Sequence, residues 1–254
     1  MEIRFEQQVV LITGASTGIG AALAKAFGAA GARVGLHYNS SEAAAKAVAG
    51  EIEAAGGEVW LVRADVTDPE QARQLVAQTL EHFGQIDILI NNAGGLIKRQ
   101  PVADMPAELY QYIMDLNMTS VFQICQQIIP VMQRQGQGNI INVTSIAARL
   151  GGGGGAVVYA TSKGAVSTFT RGLAKELASQ NIRVNAISPG VIDTPFHERY
   201  STPEQIEAMV KTIPMGRVGQ PEECVGAAFF LASEAMSRYV TGQIIEINGG
   251  QLMP

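Results

Sequence analysis

The stretch QVVLITGASTGIGAALAKAFGAAG, residues 8–31, decides how the chain folds. Residues 8–12 read as a short buried strand, a glycine-rich turn follows at once, and an Ala-rich helical pattern begins inside it. Gly14, Gly18 and Gly20 are spaced G-x-x-x-G-x-G, with Ser16, Thr17 and Ile19 between them. This differs from the G-x-G-x-x-G fingerprint but serves the same end: backbone amides and a helix N-terminus can approach a dinucleotide pyrophosphate.

The same alternation continues outward. ARVGLHY is a second strand, followed by a helix for which Ser41 is the expected N-cap. EVWLVRADV is a third, ending in Asp65, whose carboxylate can hold an adenine amino group or begin the turn into the helix announced by Thr67-Asp68-Pro69-Glu70. IDILINNAG is a continuous apolar run of the kind buried on both faces of a parallel sheet. A long helical stretch from about Pro106 to Gln135 carries Asn117 in its middle, a poor helix residue and hence a candidate for a polar role. NIINVTS and RVNAISPG are later strands, and QIIEING closes the series. Such alternation, with no linker or repeat, specifies an α/β fold: one doubly wound parallel sheet of about seven strands with helices on both faces. Residues 1–254 are expected to form one dinucleotide-binding domain. Residues 191–215, with a capping box at Thr202-Pro203-Glu204-Gln205 and prolines at 195 and 214, are expected to form a mobile lid.

Composition excludes other classes. A net charge of −5 and a pI near 5.3 argue against a nucleic-acid partner. Cys125 and Cys224 form no C-x-x-C, three scattered histidines do not suggest a metal site, and no run is long enough for a membrane span. A soluble cytoplasmic protein without metal is expected.

The chemistry is concentrated in NVTSIAARLGGGGGAVVYATSKGAV, residues 142–166. On a helix, Tyr159 and Lys163 are one turn apart on one face. A phenol normally ionises near pH ~10, and a neighbouring ammonium favours the phenolate. With Ser145 at the end of a strand as hydrogen-bond donor, the three describe proton transfer at a carbonyl or alcohol.

TGASTGIG at 13–20, Asp65, NNAG at 91–94, Asn117, Ser145, YATSK at 159–163 and SPG at 188–190, in this order, resemble the short-chain dehydrogenase/reductase family over essentially the whole chain. The resemblance implies a Rossmann-like fold and hydride transfer between a nicotinamide cofactor and a ketone or secondary alcohol. Tyr159 would be the acid in reduction and the base in oxidation, Lys163 would lower its pKa and hold the nicotinamide ribose, Ser145 would polarise the carbonyl, and Asn117 would anchor a relay water. Asp65 and Val66 would bracket adenine, Asn91, Ala93 and Gly94 would line the adenosine ribose, and Pro189, Gly190, Ile192 and Thr194 would hold the carboxamide end. Family members are commonly tetramers, so a homotetramer is expected. The pattern is similar to 3-oxoacyl-[acyl-carrier-protein] reductases, and NNAGGLIKRQP and PGVIDTPFH also look like reductases of sugar- or uronate-derived keto acids. A polyol dehydrogenase and a catalytically silent dinucleotide sensor are the remaining alternatives, the last disfavoured because all four catalytic positions are filled.

The second strand ends His37-Tyr38-Asn39-Ser40-Ser41 with no carboxylate before Glu42, so NADP(H) is expected to be preferred over NAD(H), with Tyr38, Asn39 and Ser40 near the ribose and no arginine to clamp a phosphate. Lys98, Arg99, Arg149 and His197 are expected to rim the cleft and read a negative group on the substrate.

Overall fold

The computed structural model describes residues 3–253, without the side chain of Glu198. In chain order the elements are β1 (Val9–Ile12), α1 (Gly18–Ala29), β2 (Arg33–Tyr38), α2 (Glu42–Ala54), β3 (Glu58–Arg63), α3 (Pro69–Phe83), β4 (Ile88–Asn91), α4 (Ala107–Met114), α5 (Ser120–Gln135), β5 (Gly138–Val143), α6 (Ala147–Leu150), α7 (Val157–Leu177), β6 (Ile182–Pro189), α8 (Pro195–Tyr200), α9 (Pro203–Val210), α10 (Val225–Ala232), α11 (Glu234–Ser237) and β7 (Ile244–Ile247). The seven strands form one sheet in the order β3-β2-β1-β4-β5-β6-β7, every described pair parallel. No helix among the described residues is long and apolar enough to cross a membrane.

Strand parity builds the two layers. Successive side chains of a strand point to opposite faces. In β1, Val10 and Ile12 pack with Phe27 of α1 and Ile52 of α2, whereas Val9 and Leu11 pack with Leu75 of α3 and Ile128 of α5. Burial on both faces explains the unbroken apolar runs of β1 and β4. At the floor of the sheet, the Val9 amide donates to Asp87 Oδ2 at 2.8 Å and the Asp87 amide returns a bond to the Val9 carbonyl at 3.0 Å, fixing β1 against β4. The crevice at the other end of this pair is the switch point, because the chain runs outward from β1 in both directions.

Three expectations need adjustment. Ser41 occupies the N-cap position of α2, but its side chain makes no capping bond. The stretch from Pro106 to Gln135 is helical but not uniformly so: residues 115–119 form a π-helical segment between α4 and α5. Its cause is Asn117, whose Nδ2 donates to the Ile113 carbonyl at 2.9 Å and competes with the regular ladder. The segment beyond β6 contains two short helices, α8 and α9, not only the one that the Thr202 capping box announces. The Thr202–Gln205 capping box forms as read from the sequence, with the Thr202 amide donating to Gln205 Oε1 at 3.0 Å.

Glycines separate into required and replaceable ones. A Cβ at Gly20 would run into the Gly14 carbonyl oxygen and Asn92 Nδ2, whereas one at Gly50, on the exposed face of α2, meets nothing within 4 Å. Gly20→Ala should therefore destabilise the fold by at least about 1–3 kcal/mol, and Gly50→Ala should stabilise it by about 0.4–1 kcal/mol. Paired thermal melts check this; equal shifts in Tm would contradict the packing argument.

Candidate active site

A cleft of about 580 Å³ opens at the carboxyl ends of the strands, lined by residues from the turn after β1, the ends of β2, β4, β5 and β6, α7 and α8. Its upper half is the glycine turn. Gly14 and Gly18 have φ of 63° and 55°, and a Cβ at Gly14 would lie 2.9 Å from Ala93 Cα. Thr13 and Asn92 hold this turn to β4: Asn92 Nδ2 donates to the carbonyls of Thr13 and Gly14, both at 2.9 Å, and the Asn92 and Ala93 amides donate to Thr13 Oγ1 at 3.0 Å. The Gly14 amide donates to His37 Nδ1 at 3.0 Å, which leaves the ring proton on Nε2 to meet the Ala64 carbonyl at 3.0 Å. Burial holds the His37 pKa below its ordinary value, against the Ala64 carbonyl bond and the Asp65 charge. His37 is thus a neutral buckle joining the turn to β2 and β3.

The fit of a dinucleotide can be read from this turn. The first turn of α1 has no acidic residue, and the N-cap Thr17 makes no capping bond, so the amides at this helix start are free for an anion. Glycines keep the approach clear of side chains. Ser16, Thr17, Gly18, Ile19 and Gly20 line the cleft, as do Asn39, Ser40, Val66, Ala93, Gly94, Pro189, Gly190, Ile192 and Thr194. Among the described residues, no group of three or more His, Cys, Asp or Glu could hold a metal ion.

The lower half holds the reactive groups. Ser145 lies two residues beyond β5, not within it, and its Oγ accepts the Ala147 amide at 3.1 Å. Tyr159 and Lys163 sit one turn apart on α7, and both line the cleft. Thr144 ties α7 to β5 by donating to the Lys163 carbonyl at 2.9 Å. Lys163 Nζ donates to the Val143 carbonyl at 2.9 Å and stands 6.0 Å from the Tyr159 ring centroid. Burial pulls the Lys163 pKa down to about 8. It also pushes the Tyr159 phenol up to about 12, with a hydrogen bond from Ser145 acting in the opposite direction. The group that lowers the phenol pKa here is therefore Ser145 rather than Lys163, whose ammonium is turned to a main-chain carbonyl.

Several expected site residues lie elsewhere. Asn117 is fully buried: Oδ1 accepts the Gly95 amide at 3.0 Å, and Nδ2 donates to the Gly95 carbonyl at 2.9 Å as well as to Ile113. It does not line the cleft but acts on it through the backbone, since a Cβ at Gly94 would sit 2.7 Å from Asn117 Oδ1 and 3.1 Å from Lys163 Nζ. Asn91 points into the core, donating to Asn142 Oδ1 at 2.9 Å, and its neighbour Asn92 faces the cleft instead. Tyr38 likewise packs in the core while His37 lines the cleft. Asp65 accepts the Thr67 amide at 2.9 Å and the Thr67 hydroxyl at 2.7 Å, so it opens the turn into α3 and is not a lining residue. Lys98 and Arg149 are exposed and outside the cleft, whereas Arg99 and His197 line it.

Residues not foreseen include Phe196, whose ring centroid is 5.8 Å from that of Tyr159, and Arg199, a cleft-lining cation with no hydrogen bond or ion pair among the described residues. The signal for both was present in the proline-initiated run PFHERY, which reads as a short helix start. For His37 it was a polar residue beside the end of a strand whose middle is apolar.

Residues 14–251 match the family described as enoyl-(acyl carrier protein) reductase. A 3-oxoacyl-[acyl-carrier-protein] reductase of Synechocystis sp. is 42% identical over 246 residues, 97% of each chain. Among solved structures, a short-chain type dehydrogenase/reductase from Mycobacterium marinum superposes with a TM-score of 0.93 at 40% identity, covering 100% of this chain and 98% of the other. The NADH-dependent reductase A1-R′ responsible for alginate metabolism gives 0.89 at 38% identity, over 98% of both chains. With the glycine turn and the Ser145, Tyr159 and Lys163 side chains facing one cleft, these likenesses show that the chain belongs to the short-chain dehydrogenase/reductase family and is an NAD(P)-dependent oxidoreductase acting between a CH–OH group and a carbonyl.

Proposed function

We propose that this enzyme reduces the keto group of 3-oxoacyl thioesters carried by an acyl-carrier protein, with NADP(H) as preferred cofactor. The observation carrying the reading is the shared likeness to 3-oxoacyl-[acyl-carrier-protein] reductases over almost the whole chain, with Ser145, Tyr159 and Lys163 lining one cleft. The exposed cations Lys98 and Arg149 flank cleft-lining residues from outside, an arrangement suited to an acidic carrier protein at the rim. A reductase of a uronate-derived keto acid is the second reading, favoured by Arg199 and His197 inside the cleft. Burial and the Arg99 charge keep His197 below its ordinary pKa, opposed by Asp193. Acetoacetyl thioester and a deoxy-keto-uronate, each with both cofactors, separate the two: a kcat/KM higher for the uronate rejects the first reading.

In the proposed mechanism, Tyr159 gives its proton to the substrate oxygen in reduction and accepts one in oxidation, and Ser145 holds that oxygen. The nicotinamide, when bound, supplies or accepts the hydride. Lys163 would hold the ribose side of a bound cofactor, and it carries a proton that its lowered pKa makes exchangeable near neutrality. Asn117 positions Gly94 and Gly95 beneath them. Phe196 covers the Tyr159 ring and excludes water, and residues 191–215 act as the lid.

Glu42 is tied to Lys46 at 2.7 Å, which leaves the end of β2 to neutral donors. An arginine does reach this place, from the neighbouring strand: Arg63, in register with Tyr38, donates from Nε to the Asn39 carbonyl at 3.1 Å. It is suited to clamp a 2′-phosphate. A homotetramer is supported by the half-exposed isoleucines of β7 and by Tyr110, Tyr112 and Phe122 on α4 and α5, and light scattering tests it. The free, buried Cys125 and Cys224 suit a reducing, cytoplasmic setting.

Three outcomes are expected. Tyr159→Phe should lower kcat by about 10²- to 10⁴-fold while leaving the cofactor Kd within a few-fold; retention of a tenth of the wild-type rate would remove Tyr159 from its role. Arg63→Ala should weaken binding of 2′,5′-ADP by about ten- to a hundredfold and leave 5′-ADP unchanged by titration calorimetry, and a wild-type kcat/KM higher with NADH than NADPH would overturn the cofactor preference itself. In the cofactor-free protein, Lys163 loses its proton near 8 when folded but near 10.5 when unfolded. The unfolded chain then binds more protons between these values, and stability rises with pH across the window, by roughly 3 kcal/mol in total. Lys163→Met should flatten that rise in melts from pH 7 to 9.5, and identical pH profiles would contradict the buried-amine assignment.

A further inference from the structure

The glycine run at 151–155 and the loop after β4 meet over the cleft. Gly152 and Gly155 have φ of 63° and 80°. A Cβ at Gly155 would come within 2.8 Å of the Gln100 amide nitrogen and 3.1 Å of the Arg99 carbonyl carbon, so the run must be bare there for the two loops to touch. They are joined by the Gln100 amide donating to the Gly155 carbonyl at 2.9 Å.

Arg99 is delivered to this meeting point by a strained turn. The Lys98 amide donates to the Leu96 carbonyl at 2.8 Å around Ile97, whose φ is 66°. This three-residue turn is in the unfavourable hand for a β-branched residue, a conformation that persists only where the surroundings enforce it. Past it, the Arg99 guanidinium joins two segments through three carbonyls. Nε donates to the Tyr200 carbonyl at 2.7 Å, and Nη1 donates to the Gly154 carbonyl at 3.2 Å and the Gly153 carbonyl at 3.4 Å. Tyr200 is the last residue of α8, where carbonyls lack helical partners and a cation is favourable. On the same short helix, Phe196 meets Tyr200 edge to face at 5.0 Å between ring centroids and lies 5.8 Å from Tyr159.

We propose that Arg99 is a latch, a positioning residue that fastens α8 to the glycine run and so seats Phe196 over Tyr159, and that it does not read a charge on the substrate. Its Nε and Nη1 donors are engaged by protein carbonyls, which sets this reading against the expectation that it binds an anionic group. The five glycines are the other half of the latch. The proposal rests on the reading of Tyr159 as proton donor, but the seating of the lid can be tested without turnover.

Arg99→Ala, Arg99→Lys and Gly155→Ala are compared with wild type in kcat and KM for acetoacetyl-CoA, which is anionic, and for the neutral acetoacetyl-N-acetylcysteamine thioester. Tryptic cleavage at Lys211, at the end of α9, is followed on the NADPH-loaded protein, with thermal melts as a folding control. The latch predicts a roughly ten- to a hundredfold loss of kcat/KM, equal on both substrates, with faster cleavage at Lys211. Arg99→Lys should fail to rescue, because a single ammonium cannot span three carbonyls, and Gly155→Ala, which pushes the two loops apart, should reproduce the effect with the arginine itself unsubstituted. A loss confined to acetoacetyl-CoA would make Arg99 an anion ligand and overturn the proposal, as would unchanged cleavage at Lys211 in the folded variants. If wild type turns over neither thioester, the proposed substrate class fails, while the cleavage comparison still decides the latch. Should Arg99→Ala not fold, Arg99→Lys and Gly155→Ala decide between these outcomes.

Discussion

The carboxamide of Asn92 and the hydroxyl of Thr13 are the contact on which the cleft depends. Between them they satisfy four backbone groups where β1 and β4 end, in a crevice that must stay free of side chains to admit a ligand. Backbone polar groups there cannot be left unpaired at low cost. The glycine turn is therefore held from below by side chains of its neighbours, and its upper surface remains open. His37 performs the same service from β2, and its lowered pKa keeps the ring neutral, as an acceptor for the Gly14 amide requires.

Below that turn, desolvation governs the chemistry. Lys163 and Tyr159 share a helix face and one buried space, which disfavours the charged form of each. One pKa falls to about 8 and the other rises to about 12, so near neutrality the phenol is a proton donor, whereas the amine sits close to its own titration point. Neither position is set by the other group: Val143 takes the ammonium and Ser145 takes the phenol. Asn117 contributes from the core, because its amide disturbs the helix ladder into a π segment while pinning Gly95, which brings the loop after β4 against Lys163.

Much of this was legible in the order of residues. Runs of β-branched residues, a glycine turn and an Ala-rich helix are local signals, and their repetition specified the parallel sheet. The Tyr159–Lys163 spacing and the Thr202–Gln205 capping box are local too, since both depend only on helix geometry within one turn. Glycines that needed positive φ, such as Gly14 and Gly18, stood where the turn required them.

Tertiary structure decided what lies beyond that range. In a strand a shift of one residue exchanges the core face for the other, so sequence pattern could not distinguish Tyr38 from His37; where β4 ends likewise left Asn91 in the core and turned Asn92 to the cleft. Asp65 was spent on Thr67 because the chain turns there into α3. Arg63 and Arg99 find their partners 24 and up to 101 residues away, through strand register in one case and the meeting of three loops in the other. The sequence by itself determined the sheet, the turn and the reactive pair, because those follow from neighbours along the chain. Only packing decided which polar groups face the cleft, which are consumed in holding it, and how far burial shifts their protons, because each depends on what the fold brings alongside.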